Sequence, residues 1–312
     1  MIRIFKTMDG RIQQISQVEE GSWVALTNPT YDELCMIAET HQIDLDDLKS
    51  PLDEEERSRI QVEDDYTLII LDIPTTEIRE NKEYVYTIPF GIIFTDDLIF
   101  TVCLEDTPVL TVFMDGRMRN FYTYKKTRFI YQMLYRNAAM FLQFLRIIDK
   151  KSDELEKKLH ISQRNQELLE MLELEKSLVY ITTSLRGNEV VLEKLMRNTS
   201  IPRYEDDEEL LEDVIIENKQ AIEMAKIYSD ILSARMDAFA SVISNNLNIV
   251  MKFLSVITIV LTIPTIVTSA LGMNVGGIPF ARHPQGFWIM VGICIAFTVI
   301  AWIIIARNKY FK

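Results

Sequence analysis

The chain has 312 residues, with 33 Lys and Arg against 46 Asp and Glu, for a formal net charge of −13. Such acidity argues against a nucleic-acid partner, whose binding proteins carry basic patches, and fits a domain that meets cations. Three cysteines (Cys35, Cys103, Cys294) and three histidines (His41, His160, His283) are scattered without paired spacing, which excludes a zinc motif or a disulfide framework.

Residues 1–122 read as a cytoplasmic mixed α/β domain. Ile2 to Phe5 and Trp23 to Leu26 are strand-like, and Tyr31 to His41 is a helix entered through Pro29 and Thr30. Tyr66 to Ile73, Tyr84 to Thr95 and Leu98 to Leu104 are rich in β-branched and aromatic residues, with Asp96-Asp97 as a hairpin turn. Asp44, Asp46, Asp47, Asp53, Glu54, Glu55 and Glu56 form an acidic belt. It reads either as a solvated surface with helix-start carboxylates or as a divalent-cation sensor at a subunit boundary. No nucleotide fingerprint, Walker loop or nucleophile motif occurs, so the chain is not read as an enzyme.

Residues 123–203 read as a cytoplasmic helical hairpin. One helix carries Phe129, Met133, Asn137, Phe141, Phe144, Ile148 and Leu155 at helical spacing; Ser162 to Asn165 is a turn, and a second helix runs from Gln166 to Met196, interrupted at Gly187-Asn188. A third helix, residues 204–271, carries Leu210, Val214, Ala221, Met224, Tyr228 and Ile231 on one stripe, and neither Gly nor Pro occurs from Arg203 through Ile263. At 1.5 Å per residue this is a rod of roughly 100 Å, loosened at Pro264. So long a helix suggests a coiled-coil-like bundle of several copies. The fold class is therefore α+β, with a long helical stalk and a membrane end.

No charged residue or histidine lies between Lys252 and Arg282, and the run Phe287 to Ala306 is equally free of charge. About 20 apolar residues cross a bilayer, so the two runs read as a hairpin of transmembrane spans, the second over residues 287–306, joined by an extracellular loop at 272–286. The first span has a polar face: Asn248, Met251, Ser255, Thr258, Thr262, Thr265 and Ser269. Opposite it stand Val250, Phe253, Ile257, Val260, Ile263 and Val267. The stripe is either helix–helix glue or a pore lining built from several copies. The second span has little polar content beyond Cys294 and Thr298 and reads as lipid-facing. Arg307, Lys309 and Lys312, in a basic tail at 307–312, and Lys252 at the inner end of the first span place both termini in the cytoplasm, in a cell membrane. The segment MIRIFKTMDG has no apolar core of a signal peptide.

The first span closes in Leu271-Gly272-Met273-Asn274, after a Ser244-Asn245-Asn246 to Met251-Lys252 run and a long charged helical region. This arrangement resembles the CorA family of divalent-cation transport proteins over essentially the whole chain. The resemblance implies a pentameric magnesium channel in the lipid bilayer. Gly272, Met273 and Asn274 would form its filter, with Asn274 ringing the outer mouth around a hydrated ion. It further implies pore-lining positions at Asn248, Met251, Leu254, Thr265 and Asn274. It also implies magnesium bound between subunits by acids near the membrane-distal end of the stalk, which makes Asp206, Asp207, Glu209 and Asp213 the regulatory candidates.

Two departures bear on the ion. Leu271 stands where the family usually has Tyr, and the loop VGGIPFARHPQG lacks acids and resembles the zinc-transporting branch. Mg2+ is the leading cargo and also a regulatory ligand, with Zn2+, Co2+ or Ni2+ as alternatives. The absence of His and Cys from the stripe counts against zinc, although His283 in the loop is a residue that a passing metal could touch. A non-conducting, membrane-anchored coiled-coil sensor explains the rod but leaves the polar stripe without a purpose.

Overall fold

The computed structural model describes residues 1–79, 82–162, 165–197, 205–273 and 284–307. The chain divides into two units, Met1–Met236 and Asp237–Lys312. The first holds strands β1 (Ile2–Met8), β2 (Arg11–Ile15), β3 (Trp23–Thr27), β4 (Arg59–Val62), β5 (Thr67–Arg79), β6 (Lys82–Phe94) and β7 (Ile99–Cys103). With them come helices α1 (Tyr31–His41), α2 (Leu45–Lys49), α3 (Pro108–Met114), α4 (Lys126–Ser162) and α5 (Asn165–Arg197). Helix α6 (Glu205–Leu271) belongs to both units, and α7 (Gly286–Arg307) lies in the second.

The seven strands form one sheet in the order β2-β1-β3-β7-β6-β5-β4. Only β3 and β7 pair in parallel, and they are buried on both faces, which is why WVALT and IFTVC are apolar without alternation. Elsewhere the two-residue period divides side chains between two cores. Ile69, Leu71 and Ile73 join Phe113, Phe129 and Met133 from α3 and α4. Leu68 and Ile70 join Leu34 and Ile37 of α1. Helix α1 begins with a capping box in which Thr30 Oγ1 accepts from Glu33 N and the Glu33 carboxylate accepts from Thr30 N at 2.8 Å. The Thr30 backbone bond, followed by the N-terminal ammonium, holds the Glu33 carboxyl below its usual value.

Part of the acidic belt closes turns. Asp44 caps α2 by accepting from Asp46 N, and Asp53 Oδ1 accepts from Glu55 N. Buried Asp47 accepts from Tyr66 Oη at 2.7 Å, and burial, reinforced by that bond, pushes the Tyr66 phenol up to about 12. The helix-start reading thus accounts for Asp44, Asp46 and Asp47, whereas Asp53 closes a turn that starts no helix.

Gly187-Asn188 does not interrupt a helix, contrary to the sequence expectation; α5 runs unbroken through it. The pair is where α5 meets the sheet edge. β4 pairs with β5 only as far as Ile70, leaving the next β5 backbone groups without a strand. Asn188 supplies them, since Asp72 N donates to Asn188 Oδ1 at 2.9 Å and Asn188 Nδ2 donates to Asp72 O at 2.8 Å. Ser58 Oγ, just before β4, also donates to Asn188 Oδ1. A Cβ on Gly187 would stand 3.0 Å from Ser58 Oγ, so glycine allows the approach. The Asn188→Ala variant leaves the Asp72 amide without its partner and is expected to cost about 2–3 kcal/mol. An unchanged thermal unfolding midpoint in the full chain would rule this out.

The same junction holds Asp72, whose carboxyl burial pushes above its usual value, partly offset by a bond from Ser184. Ser184 Oγ also lies 2.9 Å from Thr87 Oγ1 and has a single proton. Burial favours the neutral carboxyl of Asp72, which is a donor as well as an acceptor, over the carboxylate. A raised folded-state pKa means that this stabilisation is full below the unfolded value of about 3.9 and is lost as pH rises through the folded value. Asp72→Asn keeps the donor at every pH. It is expected to raise stability relative to the parent at pH 8 and to leave little difference at pH 3.5. Denaturation at the two pH values checks this, and an equal offset at both contradicts it.

The buried seam of α6 in the first unit is Leu211, Val214, Asn218, Ala221, Ala225 and Leu232. The expected stripe shares Val214 and Ala221, with Leu210 packed against the core and Met224 and Tyr228 half-buried beside it, but it placed Ile231 inward, which is 39% exposed. The shift follows from Asn218, a polar residue in the seam whose Nδ2 donates to Leu185 O at 3.1 Å. At the end of this unit Arg235 donates from Nη1 to Ser152 Oγ and pairs with Asp153 and Glu156 of α4 at 2.6 and 3.1 Å.

Candidate functional site

The second unit is apolar and largely uncovered. Phe253 is 66% exposed, Leu261 65% and Trp288 72%. Helices α6 and α7 each contain a stretch long and apolar enough to cross a membrane, within Asp207–Ala270 and Gly286–Ile304. Apolar surface on this scale is covered by lipid or by other chains.

Cover within the protomer is uneven around α6. Val256, Val260, Ile263 and Val267 are half-buried, whereas Asn248, Met251, Leu254, Ser255, Thr258, Thr262, Thr265 and Ser269 are exposed. The polar stripe is therefore not the surface that packs inside one protomer. The covered face includes Val260, Ile263 and Val267 of the six positions that the sequence placed opposite the stripe, whereas Val250, Phe253 and Ile257 are exposed. On α7 Cys294 and Thr298 are half-buried, and Thr298 Oγ1 donates to Cys294 O.

Hydroxyls along α6 bond back to the preceding turn. Ser255 Oγ donates to Met251 O at 2.8 Å, Thr258 Oγ1 to Leu254 O at 2.8 Å, Thr262 Oγ1 to Thr258 O at 2.6 Å and Thr265 Oγ1 to Leu261 O at 3.0 Å. Helix α6 continues through Pro264, whose missing N–H withdraws the usual donor from the Val260 carbonyl. It ends at Leu271, where Gly272 N donates to Thr268 O at 2.9 Å. A Cβ on Gly272 would stand 3.3 Å from Thr268 O, so glycine suits this tight exit. Met273 is exposed, while Asn274, Arg282, His283, Lys309 and Lys312 lie outside the described residues.

The regulatory candidates divide. Asp207 is 3% exposed and lies 3.6 Å from the Arg128 guanidinium, in a cleft of about 1080 Å3 also bounded by Asp64, Asp65, Asp96, Asp97 and Lys126. Burial holds the Lys126 ammonium below its usual value, and Nζ donates to Thr95 O. Glu209 and Asp213 are exposed, and the side chain of Asp206 lies outside the described residues. Among the described residues no three His, Cys, Asp or Glu side chains converge to hold a metal ion. The Arg128 pairing was not foreseen; the run Lys125-Lys126-Thr127-Arg128, basic in an acidic chain, was its available signal.

A profile of the family described as CorA-like Mg2+ transporter protein matches residues 18–307. A cobalt/magnesium transport protein CorA of Methanocaldococcus jannaschii is 28% identical over 297 residues, covering 92% of this chain and 90% of that one. The complete structure of the CorA magnesium transporter from that organism superposes with a TM-score of 0.85 at 24% identity, covering 99% and 98% of the two chains. A full-length CmaX protein superposes at 0.68 with 16% identity, over 98% of this chain and 96% of the other. The cytoplasmic domain of ZntB from Vibrio parahaemolyticus superposes at 0.58 with 11% identity, over 79% of this chain and 97% of the other. The likenesses to the complete CorA and full-length CmaX structures establish the shared α+β fold with its long helix and two C-terminal apolar helices.

Proposed function

Because the chain belongs to the CorA-like Mg2+ transporter family, membrane transporters of divalent cations rather than enzymes, we propose that it is a homo-oligomeric Mg2+ uptake channel whose pore is lined by the polar face of α6. The observation that carries this reading is the uncovered stripe. Seven positions at helical spacing, most of them polar, face away from the surface that the protomer itself covers. Polar groups in hydrocarbon are costly unless they meet water or a partner, and a shared water-filled axis meets that need. Five copies follow the family resemblance, as do filter roles for Gly272, Met273 and Asn274. Cytoplasmic termini follow from the basic residues around the spans.

Mg2+ gives up its water shell reluctantly, so neutral oxygen acceptors suit it better than a cage of carboxylates. Met251 and Leu254 would form an apolar constriction that closes by dewetting. A divalent ion moving inward down 100 mV gains about 4.6 kcal/mol, twice the single-charge value, and uptake needs no nucleotide. Co2+ is a second cargo on this reading, since the Methanocaldococcus jannaschii relative is named for both ions. Influx of Mg2+ into liposomes holding the purified chain tests the function; no influx above protein-free vesicles refutes it.

The lining has its own test. Single cysteines placed at Thr262, Thr265, Ile263 and Val267, in a background without Cys35, Cys103 and Cys294, are expected to react with a water-soluble thiol reagent at the two threonine positions only. Equal labelling of both faces removes the pore.

A further inference from the structure

Two kinds of contact hold α6 in the first unit. Over most of its length there it packs through the seam Leu211, Val214, Asn218, Ala221, Ala225 and Leu232. Apart from the Asn218 bond this seam is apolar, and apolar attraction has no preferred direction. Ala221 and Ala225 also leave little side chain to interlock. The seam decides which side of α6 is covered but opposes a small rotation only weakly.

Beyond Leu232 the contacts become directional. Arg235 continues the seam as a charge, 22% exposed. Its Nη1 donates to Ser152 Oγ at 2.8 Å, and Nη2 and Nε meet Asp153 Oδ1 at 2.6 Å and Glu156 Oε2 at 3.1 Å, all on α4. Ser152 is itself buried. Ser233 Oγ donates to Glu175 Oε1 of α5 at 3.2 Å. Ser233 and Arg235 leave α6 about 200° apart. At one level, therefore, bonds from two sides of α6 tie it to two different helices. A guanidinium is a rigid planar fork, so three bonds from it tolerate little rotation. Buried ionic groups of this kind are best attested as devices that fix register.

We propose that Arg235 and Ser233 form a polar collar that fixes the rotation of α6 about its own axis and so keeps the stripe of its membrane part turned toward the conduction path. The inference rests on the conduction reading above and assigns the positioning of its lining; neither residue touches the ion. Helix α6 is one helix from Glu205 to Leu271, so a rotation held at 233–235 is carried along it.

The test uses the full chain in liposomes, in the background without Cys35, Cys103 and Cys294, with a single cysteine at Thr262 or at Ile263. The ratio of their labelling rates with a water-soluble thiol reagent reports the rotation. Arg235→Gln with Ser233→Ala should lower that ratio, and Mg2+ influx with it, by at least ~tenfold. Arg235→Lys, which keeps the charge but not the fork, should fall between parent and double variant. Leu232→Ala loosens the seam and spares the collar, so it should lower the unfolding temperature and leave ratio and influx near the parent's. Native mass spectrometry reports the assembly; if the double variant changes its mass, Arg235→Lys is read in its place. A ratio unchanged by loss of the collar overturns the inference while leaving conduction in place. So does a ratio that Leu232→Ala lowers equally, since general loosening then explains it. A lowered ratio with parental influx removes the collar from conduction. A parent that labels both positions alike refutes the pore lining and this inference with it.

Discussion

Mg2+ influx through the Asn274→Ala variant is expected to fall to the level of protein-free vesicles, with oligomer mass unchanged. The expectation comes from where α6 stops. The helix ends at Leu271, the chain leaves through Gly272 pressed against Thr268 O, and Asn274 follows two residues on. In a symmetric assembly every copy would contribute its amide oxygen to one ring at the mouth. A single amide–water bond contributes about 1 kcal/mol, but alanine deletes it from every copy at once. Three such losses alone amount to roughly a hundredfold in rate. Asn274→Gln, which keeps the amide on a longer arm, should retain part of the influx. Parental influx from the alanine variant would show that the ring does not select the ion.

The parts of this fold that were legible in the sequence obey local rules. Helix α1 has the ends expected from Pro29 and Thr30 at its start, and the capping box of Thr30 and Glu33 shows that this start is fixed locally. The parallel pair β3 and β7 stood out through continuous apolar runs. The short edge strands β2 (RIQQI) and β4 (RIQV) did not, because an edge strand needs little apolar content and is held by its neighbour. Helix α3 was missed although its start signal was present: Thr107 accepts from Val109 N, followed by Pro108 at the first helical position.

The errors within the helices share a cause. Gly187-Asn188 looks like a break because both residues are poor helix formers, and Asn218 looks misplaced in a buried seam. Each is explained by a partner distant in sequence: the Asp72 backbone for Asn188, the Leu185 carbonyl for Asn218. Local propensity has no access to such partners. The polar stripe of α6 was legible for the opposite reason. Periodicity alone defines it, whereas the face of α6 that the protomer covers needed coordinates.

Cytoplasmic control is expected to lie with the acids at the start of the stalk, of which Glu209 and Asp213 are exposed. Replacing Glu209 with Gln and both Asp206 and Asp213 with Asn should raise the internal Mg2+ needed for half-maximal inhibition of influx. Carboxylates of neighbouring copies would repel when brought together. A bound divalent ion relieves that repulsion and favours the packed, closed state, but only through its differential affinity for the two states. Coupling energies of about 1–3 kcal/mol are typical, so the shift should lie between about 5-fold and 150-fold. Asp207 should behave differently. It is buried against Arg128, a cation the chain already supplies, and Asp207→Asn removes that ion pair. Its main effect should be a lower unfolding temperature with little movement of the inhibition curve. The contrast follows from exposure, since a carboxylate that already has a charged partner in its own protomer has less to gain from Mg2+ than one facing solvent. Influx measured against internal Mg2+ for the two sets of variants decides it. A shift produced by Asp207→Asn alone would move the sensor into the Arg128 cleft. No shift from either set would remove these acids from gating.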